Sequence, residues 1–466
     1  MVAFAELPDE LFSIIFSLVP SGTLHSLSLV SRAFNRCSTP QLYRHIYLWE
    51  RGNSSSHDAP NFPDWRSRYQ HLRSSPYYDT DQGYGITRVF DLDLFLRTVT
   101  ESEVIRSYVV GASITYRSNQ EESVFSVVQL LRPSLAYLHL KCALDTMFRN
   151  RALLSLANCL EVEISERHDI NNQTRDLQNV TYKELILSSF DSPDMKLLAL
   201  SGVLDWDLFM QNSPDISGAS NITSLSLTNT VPADRGLTKL LSWPKALKSL
   251  RYELALSEIR NYRQFESSPN PNRFVLSAKE FSDALQPHEH SLEELFIEGC
   301  TTGVKPNFDA RQLIDLHSFT NLRYVRLPLN FLFTCQTDAS YFRISYSATT
   351  ISQILPPALE ELRIEVDYEY HWPDLFSFIP VDKRTFDPFD EHIGLEQGEL
   401  RSFVCEIVKN RDLRYTGLRS IIFQESMAWR NKKIYTFEGE EGCAEVFEAC
   451  KAANVHISWN GFDKSP

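Results

Sequence analysis

The chain has 466 residues, 43% hydrophobic and 23% charged, with a formal net charge of −14 and a pI near 5.4. Such a composition describes a folded chain with room for two to four domains, and its acidic balance argues against a nucleic-acid face, which needs a dense Lys/Arg surface. No uncharged apolar run approaches the ~20 residues that span a bilayer, and Glu6, Asp9 and Glu10 interrupt the first apolar stretch as they would not in a signal peptide.

The first predicted element runs from Leu7 to Pro20. Pro8 suits a first helical turn, Asp9 and Glu10 complement the positive end of the helix dipole, and Pro20 followed by Ser21-Gly22 ends the helix. Leu11, Ile14, Ile15 and Leu18 form one apolar stripe at helical spacing, whereas Phe12, Phe16 and Val19 form a second on another side. Thr23 to Phe34 is again helical in pattern. Thr39-Pro40 reads as the N-cap and first-turn proline of a third short helix carrying Leu42 and Tyr43. Three short helices cannot cover all these faces among themselves, so either the rest of the chain or a second protein must cover the remainder.

Leu7-Pro8, Glu10-Leu11, Ile15-Phe16, Pro20, Leu24, Leu27, Val30-Ser31-Arg32 and Phe34 fall in the order and spacing of an F-box. The following Thr39-Pro40-Gln41-Leu42-Tyr43-Arg44-His45-Ile46-Tyr47-Leu48 resembles fungal F-box proteins in particular. Phe12, Leu18 and Val19 depart from the family's usual choices only by volume-tolerant hydrophobic swaps. The resemblance covers about a tenth of the chain. It implies that these helices dock on the S-phase-kinase-associated adaptor of a cullin-RING ubiquitin ligase, through Leu7, Pro8, Glu10, Leu11, Ile15, Phe16, Leu18, Leu24, Leu27, Val30, Ser31 and Phe34. The rival reading keeps every apolar side chain inward, so that residues 7–48 merely cap the next domain.

His45 to Trp49 is strand-like, and residues 51–85 read as a polar linker with one short helix. From Ile86 a pattern of three apolar residues, at positions one, four and six, keeps returning. It starts at Ile105, Leu135, Cys159, Tyr182, Ile222, Leu247, Leu292, Leu322, Leu359 and Leu418. The first starts lie 30, 24 and 23 residues apart, near the period of leucine-rich repeats. An eleventh match at Met195 follows Tyr182 too closely for both to be ladder strands. Helix-like segments intervene at 124–131, 152–157 and 280–285. One strand and one helix per repeat bury their apolar faces only by stacking. The expected class is therefore α/β: a three-helix F-box over 1–50, then over 86–466 a degenerate leucine-rich-repeat solenoid, with a parallel sheet on the concave side and helices on the convex side.

Intervals of 45, 37 and 59 residues after Leu247, Leu322 and Leu359 demand inserts, placed near 254–280, 328–350 and 367–412. The last carries Tyr368, Tyr370, Trp372 and Phe376, aromatics suited either to holding a protein substrate or to pinning a long loop. A helix over 444–453 and a strand through Val455, Ile457 and Trp459 form a cap at 441–460. Cys142, Cys159, Cys300 and Cys405, in or beside predicted strands, read as reduced core residues of a cytoplasmic or nuclear protein.

Catalytic patterns are missing: no phosphate-binding glycine loop, no GxSxG and no HExxH. Asp91-x-Asp93 opens a helix, and His288-Glu289-His290 reads as a solvated loop. Acids at Glu360, Glu361, Glu365, Asp367 and Glu369 suggest either a solvated strand edge or a negative rim for a basic substrate. The expectation is a non-catalytic ligase subunit without cofactor or metal. Its partners would be the adaptor, through it a cullin, and an unknown protein substrate, but neither nucleic acid nor membrane.

Overall fold

A computed structural model describes residues 8–19, 21–48, 86–89, 92–116, 121–143, 159–165, 187, 190–191, 193–201, 216–230, 234–254, 278–298, 313–328, 331–332, 334–338, 341–345, 354–366, 394–395, 399–425 and 444–460. The chain divides into two compact units, Met1–Leu200 and Ser201–Pro466.

The first unit opens with helices α1 (Asp9–Ser17), α2 (Ser21–Ser28) and α3 (Arg32–Arg44). Ser31 ends the α2–α3 turn in extended conformation, and its hydroxyl accepts from the Phe34 amide at 3.1 Å, a standard N-cap. The expected third helix at Thr39-Pro40 is instead the second half of α3. Thr39 turns its hydroxyl back to donate to the Asn35 carbonyl at 2.7 Å, and the helix runs through Pro40. An interior proline costs about 3 kcal/mol. Burial of the apolar Cys37 and Leu42 on this helix works against that cost.

Strand β1 (His45–Leu48) follows without a break and pairs in parallel with both β2 (Ile86–Val89) and β3 (Gly111–Tyr116). Helices α4 (Leu92–Glu101), α5 (Glu103–Tyr108) and α6 (Glu121–Leu131), then strands β4 (Tyr137–Ala143), β5 (Cys159–Ser165) and β6 (Leu197–Ser201), complete the series. The parallel ladder continues from β3 through β4 to β5. On α6, Val124, Val127, Val128 and Leu131 are all buried, one continuous stripe facing the core. Gly111 lies opposite His45, where an added Cβ would come within 2.6 Å of His45 Nδ1. Burial first, and Arg44 second, push the His45 imidazole down to about 4.

The strand expected from Ile105 is helix α5. Ser102 caps it, accepting from the Ile105 amide at 3.3 Å, and Arg106 donates to the Val99 carbonyl at the end of α4 at 2.9 Å. Capping chemistry outweighs the apolar triplet. Of the two competing starts, Met195 leads into the strand Leu197–Ser201; Tyr182 and Leu185 lie outside the described residues, and Leu187, the last residue of that triplet, is helical. The other eight expected starts lead into strands.

The second unit contains β7 (Ser224–Thr230), α7 (Asp234–Leu241), β8 (Ser249–Leu254), α8 (Ala278–Leu285), β9 (Glu294–Glu298), β10 (Tyr324–Pro328), β11 (Thr334–Asp338), β12 (Tyr341–Ser345), β13 (Glu361–Val366), β14 (Gly394–Leu395), α9 (Glu399–Lys409), β15 (Ser420–Glu425), α10 (Ala444–Ala452) and β16 (His456–Asn460). Strands β7, β8, β9, β10, β13, β15 and β16 form one parallel ladder in that spatial order. Its alternate positions Leu225, Leu227, Leu250, Tyr252, Leu295, Ile297, Val325, Leu327, Leu362, Ile364, Ile421 and Phe423 are buried. Each expected leading residue at Ile222, Leu247, Leu292, Leu322, Leu359 and Leu418 is buried as well. Parallel strands need crossovers rather than tight turns, which explains the long returns. The expected inserts at 328–350 and 367–412 share a small sheet, in which β12 pairs antiparallel with β11 and in parallel with β14.

Cys405 lies on helix α9 and is half-buried, not on a strand. Among the described residues no group of His, Cys, Asp and Glu could hold a metal ion. No helix among them is long and apolar enough to cross a membrane.

Candidate functional site

The N-terminal helices turn one apolar stripe inward and most of the other outward, with Ile15 of the second at the boundary. Phe12 and Phe16 turn inward with Leu24, Cys37 and Leu42, and Ile15, Val19, Leu27, Phe34 and Tyr43 pack around this small core. The Phe12, Phe16 and Phe34 rings meet with centroids 5.4–5.8 Å apart, Phe16 and Phe34 nearly edge to face, in the favoured range for aromatic pairs. Arg36 bridges α3 to the first turn of α1, donating to Asp9 at 2.9 Å, and this hydrogen bond holds the Asp9 carboxyl below the usual carboxylate range.

The other stripe faces outward. Leu11, Ile14 and Leu18 are 45%, 60% and 71% exposed, and Leu29 and Val30 in the α2–α3 turn are 75% and 67% exposed. Aliphatic side chains at positions 11, 14 and 18 share one face of α1. A contiguous outward apolar stripe is among the features that distinguish contact surfaces from ordinary solvent-facing ones.

The predicted docking residues therefore separate by environment. Leu11, Leu18 and Val30 are exposed, Ile15, Leu27 and Phe34 are half-buried, and Phe16 and Leu24 are interior. Phe16 and Leu24 shape the module rather than present themselves at its surface, and Ser31 acts as the α3 cap. Pro8 and Glu10 lie exposed at the start of α1. Ile14 and Leu29 were not among the expected docking residues. Ile14 was visible as a member of the first stripe; Leu29 gave no periodic signal because it sits in a turn. Leu7, Tyr368, Tyr370, Trp372 and Phe376 lie outside the described residues.

The second unit carries a lattice of charges on the polar face of its ladder. Arg251 on β8 and Arg326 on β10 converge on Glu298 of β9 at 2.8 and 2.7 Å, and Glu365 of β13 lies 3.9 Å from Arg326. All four are buried. One position before the strands, Lys248 pairs with Glu293 at 2.7 Å, and Glu360 takes both Arg323 and Arg419. Arg363 holds Glu361 at 2.6 Å. The acids at 360, 361 and 365 are thus neutralised in place, not the negative rim or solvated edge expected of them; Asp367 and Glu369 lie outside the described residues.

His288 also departs from expectation. It is fully buried, accepting from the Leu247 amide at Nδ1 and donating from Nε2 to the Leu241 carbonyl at 2.6 Å. Desolvation lowers its pKa, consistent with a neutral bridge between two backbone segments. Asp93 stands in the first turn of α4, as expected, accepting from Ser123 at 3.3 Å.

Residues 4–49 match the F-box-like domain family. An F-box-like domain points to an adaptor role in ubiquitin ligases in general, and proteins of this kind are generally non-catalytic subunits that bind the S-phase-kinase-associated adaptor and so link to a cullin. No curated protein sequence matches the chain.

Proposed function

We propose that this protein is the substrate-recognition subunit of a cullin-RING ubiquitin ligase of the SCF type. The module α1–α3 docks on the adaptor, and the strand-and-helix series after it, read as a degenerate leucine-rich-repeat solenoid, holds a protein substrate. The observation that carries this reading is the outward row Leu11, Ile14 and Leu18 on a module whose own core is already closed. Around it, the exposed Val30 and Leu29, the half-buried Ile15, Leu27 and Phe34 and the neighbouring Leu7, Pro8 and Glu10 would complete the contact. Such a subunit needs no bond chemistry. Tethering a substrate lysine beside a ubiquitin-charged thiol raises its effective concentration, which is the whole contribution required.

Mixing the purified full chain with the adaptor tests the proposal: a stable one-to-one complex on size-exclusion chromatography is expected, and none forming would refute it. A second reading has one observation in its favour. Strand β1 continues directly from α3 into the parallel ladder, and the Val110 amide donates to the Arg44 carbonyl at 2.9 Å, as in a helical cap on an interaction scaffold. A cap alone leaves the outward row unused, and failure to bind the adaptor would favour it.

A further inference from the structure

On the polar face of the second unit's ladder, one acid stands apart. Glu253 and Glu298 pair with Arg251, Glu298 also with Arg326, Glu361 with Arg363, and Glu365 lies within 4 Å of Arg326. Glu293 and Glu360, just before the strands, have Lys248, Arg323 and Arg419. Among the described residues, Glu294 is the acid of this face that lacks a cation. Its contact is a neutral one: the Ser249 hydroxyl donates to Oε2 at 2.9 Å.

The position of Glu294 defines what it can receive. It lies directly opposite Ser249 on β8 and Tyr324 on β10, with Phe296 two residues further along the same face of β9. It is half-buried, the one position of β9 that is not fully enclosed. The nearby cations are committed: Arg251 to Glu253 and Glu298, Arg326 to Glu298, and Lys248 to Glu293. Phe296 is buried and the Tyr324 ring already carries the Arg323 guanidinium, so what an incoming lysine or arginine can meet here is the carboxylate itself, in a charge-assisted hydrogen bond.

We infer that Glu294 anchors a lysine or arginine side chain of the polypeptide bound by this unit. The inference rests on the proposed receptor role and moves the basic-substrate site from residues 360–369 to the middle of the ladder. Desolvation foremost, with Glu293 adding to it, raises the Glu294 carboxyl to about 7, against the pull of Ser249. A cationic ligand favours the ionised form, so its binding strengthens as the pH rises through that value.

A random-peptide phage library panned on the full-length protein tests this. The selected pool should be enriched in Lys and Arg, bind about tenfold more tightly at about pH 8 than at about pH 6 as the ionised fraction of Glu294 grows, and bind Glu294→Gln at least about tenfold more weakly than wild type. Glu293→Gln, which removes a neighbouring acid, should leave binding within a factor of about two. Selection of no binder, of binders poor in basic residues, or of binders indifferent to Glu294→Gln would overturn the inference. Adaptor capture measured on the same protein separates the two claims. Basic-peptide binding without adaptor capture would remove the ligase role and leave the Glu294 site standing.

Discussion

Replacing Ile14 and Leu18 together by Glu separates docking from folding. Both side chains already stand in water, 60% and 71% exposed. Two carboxylates there should shift the melting temperature little, because surface changes lie within about 0.5 kcal/mol. If the adaptor covers the remaining ~100 Å² of each side chain, at ~25 cal/mol per Å², each contributes about 2.5 kcal/mol to the complex. Losing both, even with incomplete coverage, should weaken adaptor binding by at least about a hundredfold, since each 1.4 kcal/mol is about tenfold. Phe16→Ala is the contrasting variant. It opens a cavity beside Phe12 and Phe34 in the module's core, so about 3–5 kcal/mol of stability should be lost, and binding with it. Isothermal titration calorimetry with purified adaptor, alongside thermal melts, measures both. Wild-type affinity in the Ile14→Glu/Leu18→Glu protein would refute the argument, as would a melt as damaged as that of Phe16→Ala.

Three further outcomes follow from the packing. Gly111→Ala drives a methyl to 2.6 Å from His45 Nδ1, so the β1–β3 pairing must shift and chemical denaturation should register a loss of about 1–3 kcal/mol; an unchanged midpoint would show that His45 moves freely. Glu298→Ala removes the carboxylate that the buried Arg251 and Arg326 share, leaving Glu253 3.3 Å from the one and Glu365 3.9 Å from the other, at a cost of about 3 kcal/mol. Glu298→Ala with both arginines changed to Met should recover much of that loss, and equal damage in the triple variant would argue against an electrostatic cause. Glu294 has a folded-state pKa raised to about 7. Its ionised form therefore opposes folding, a penalty absent below the ordinary Glu value and complete above about 7. Glu294→Gln should raise the melting temperature at about pH 8 and hardly change it at about pH 4; the reverse order would contradict the sign.

Much of the ladder was legible because its signal is local and repeated. An apolar residue two before a strand, followed by alternation, buries the leading Leu and two strand residues whatever the neighbouring strand contains. Leu247-Leu250-Tyr252 and Leu322-Val325-Leu327 are examples, all buried. The errors arose where a local competitor was stronger than the triplet. The Ser102 cap makes helix of residues 103–108, and the Thr39 hydroxyl turned backward lets α3 pass through Pro40.

By itself, the sequence determined most of the element types, the F-box-like beginning at residues 4–49 and the two apolar stripes of α1, because these depend on spacing along one chain. Which stripe turns inward was decided only in three dimensions: the Phe12, Phe16 and Phe34 rings pack closely against one another, and once that face is closed Leu11, Ile14 and Leu18 have nowhere to go but water. Charge partners obey the same division. Composition records acids and bases in number, but Glu298 meets Arg251 and Arg326 from residues 47 and 28 positions away, and only the registered ladder reveals that Glu294 received none.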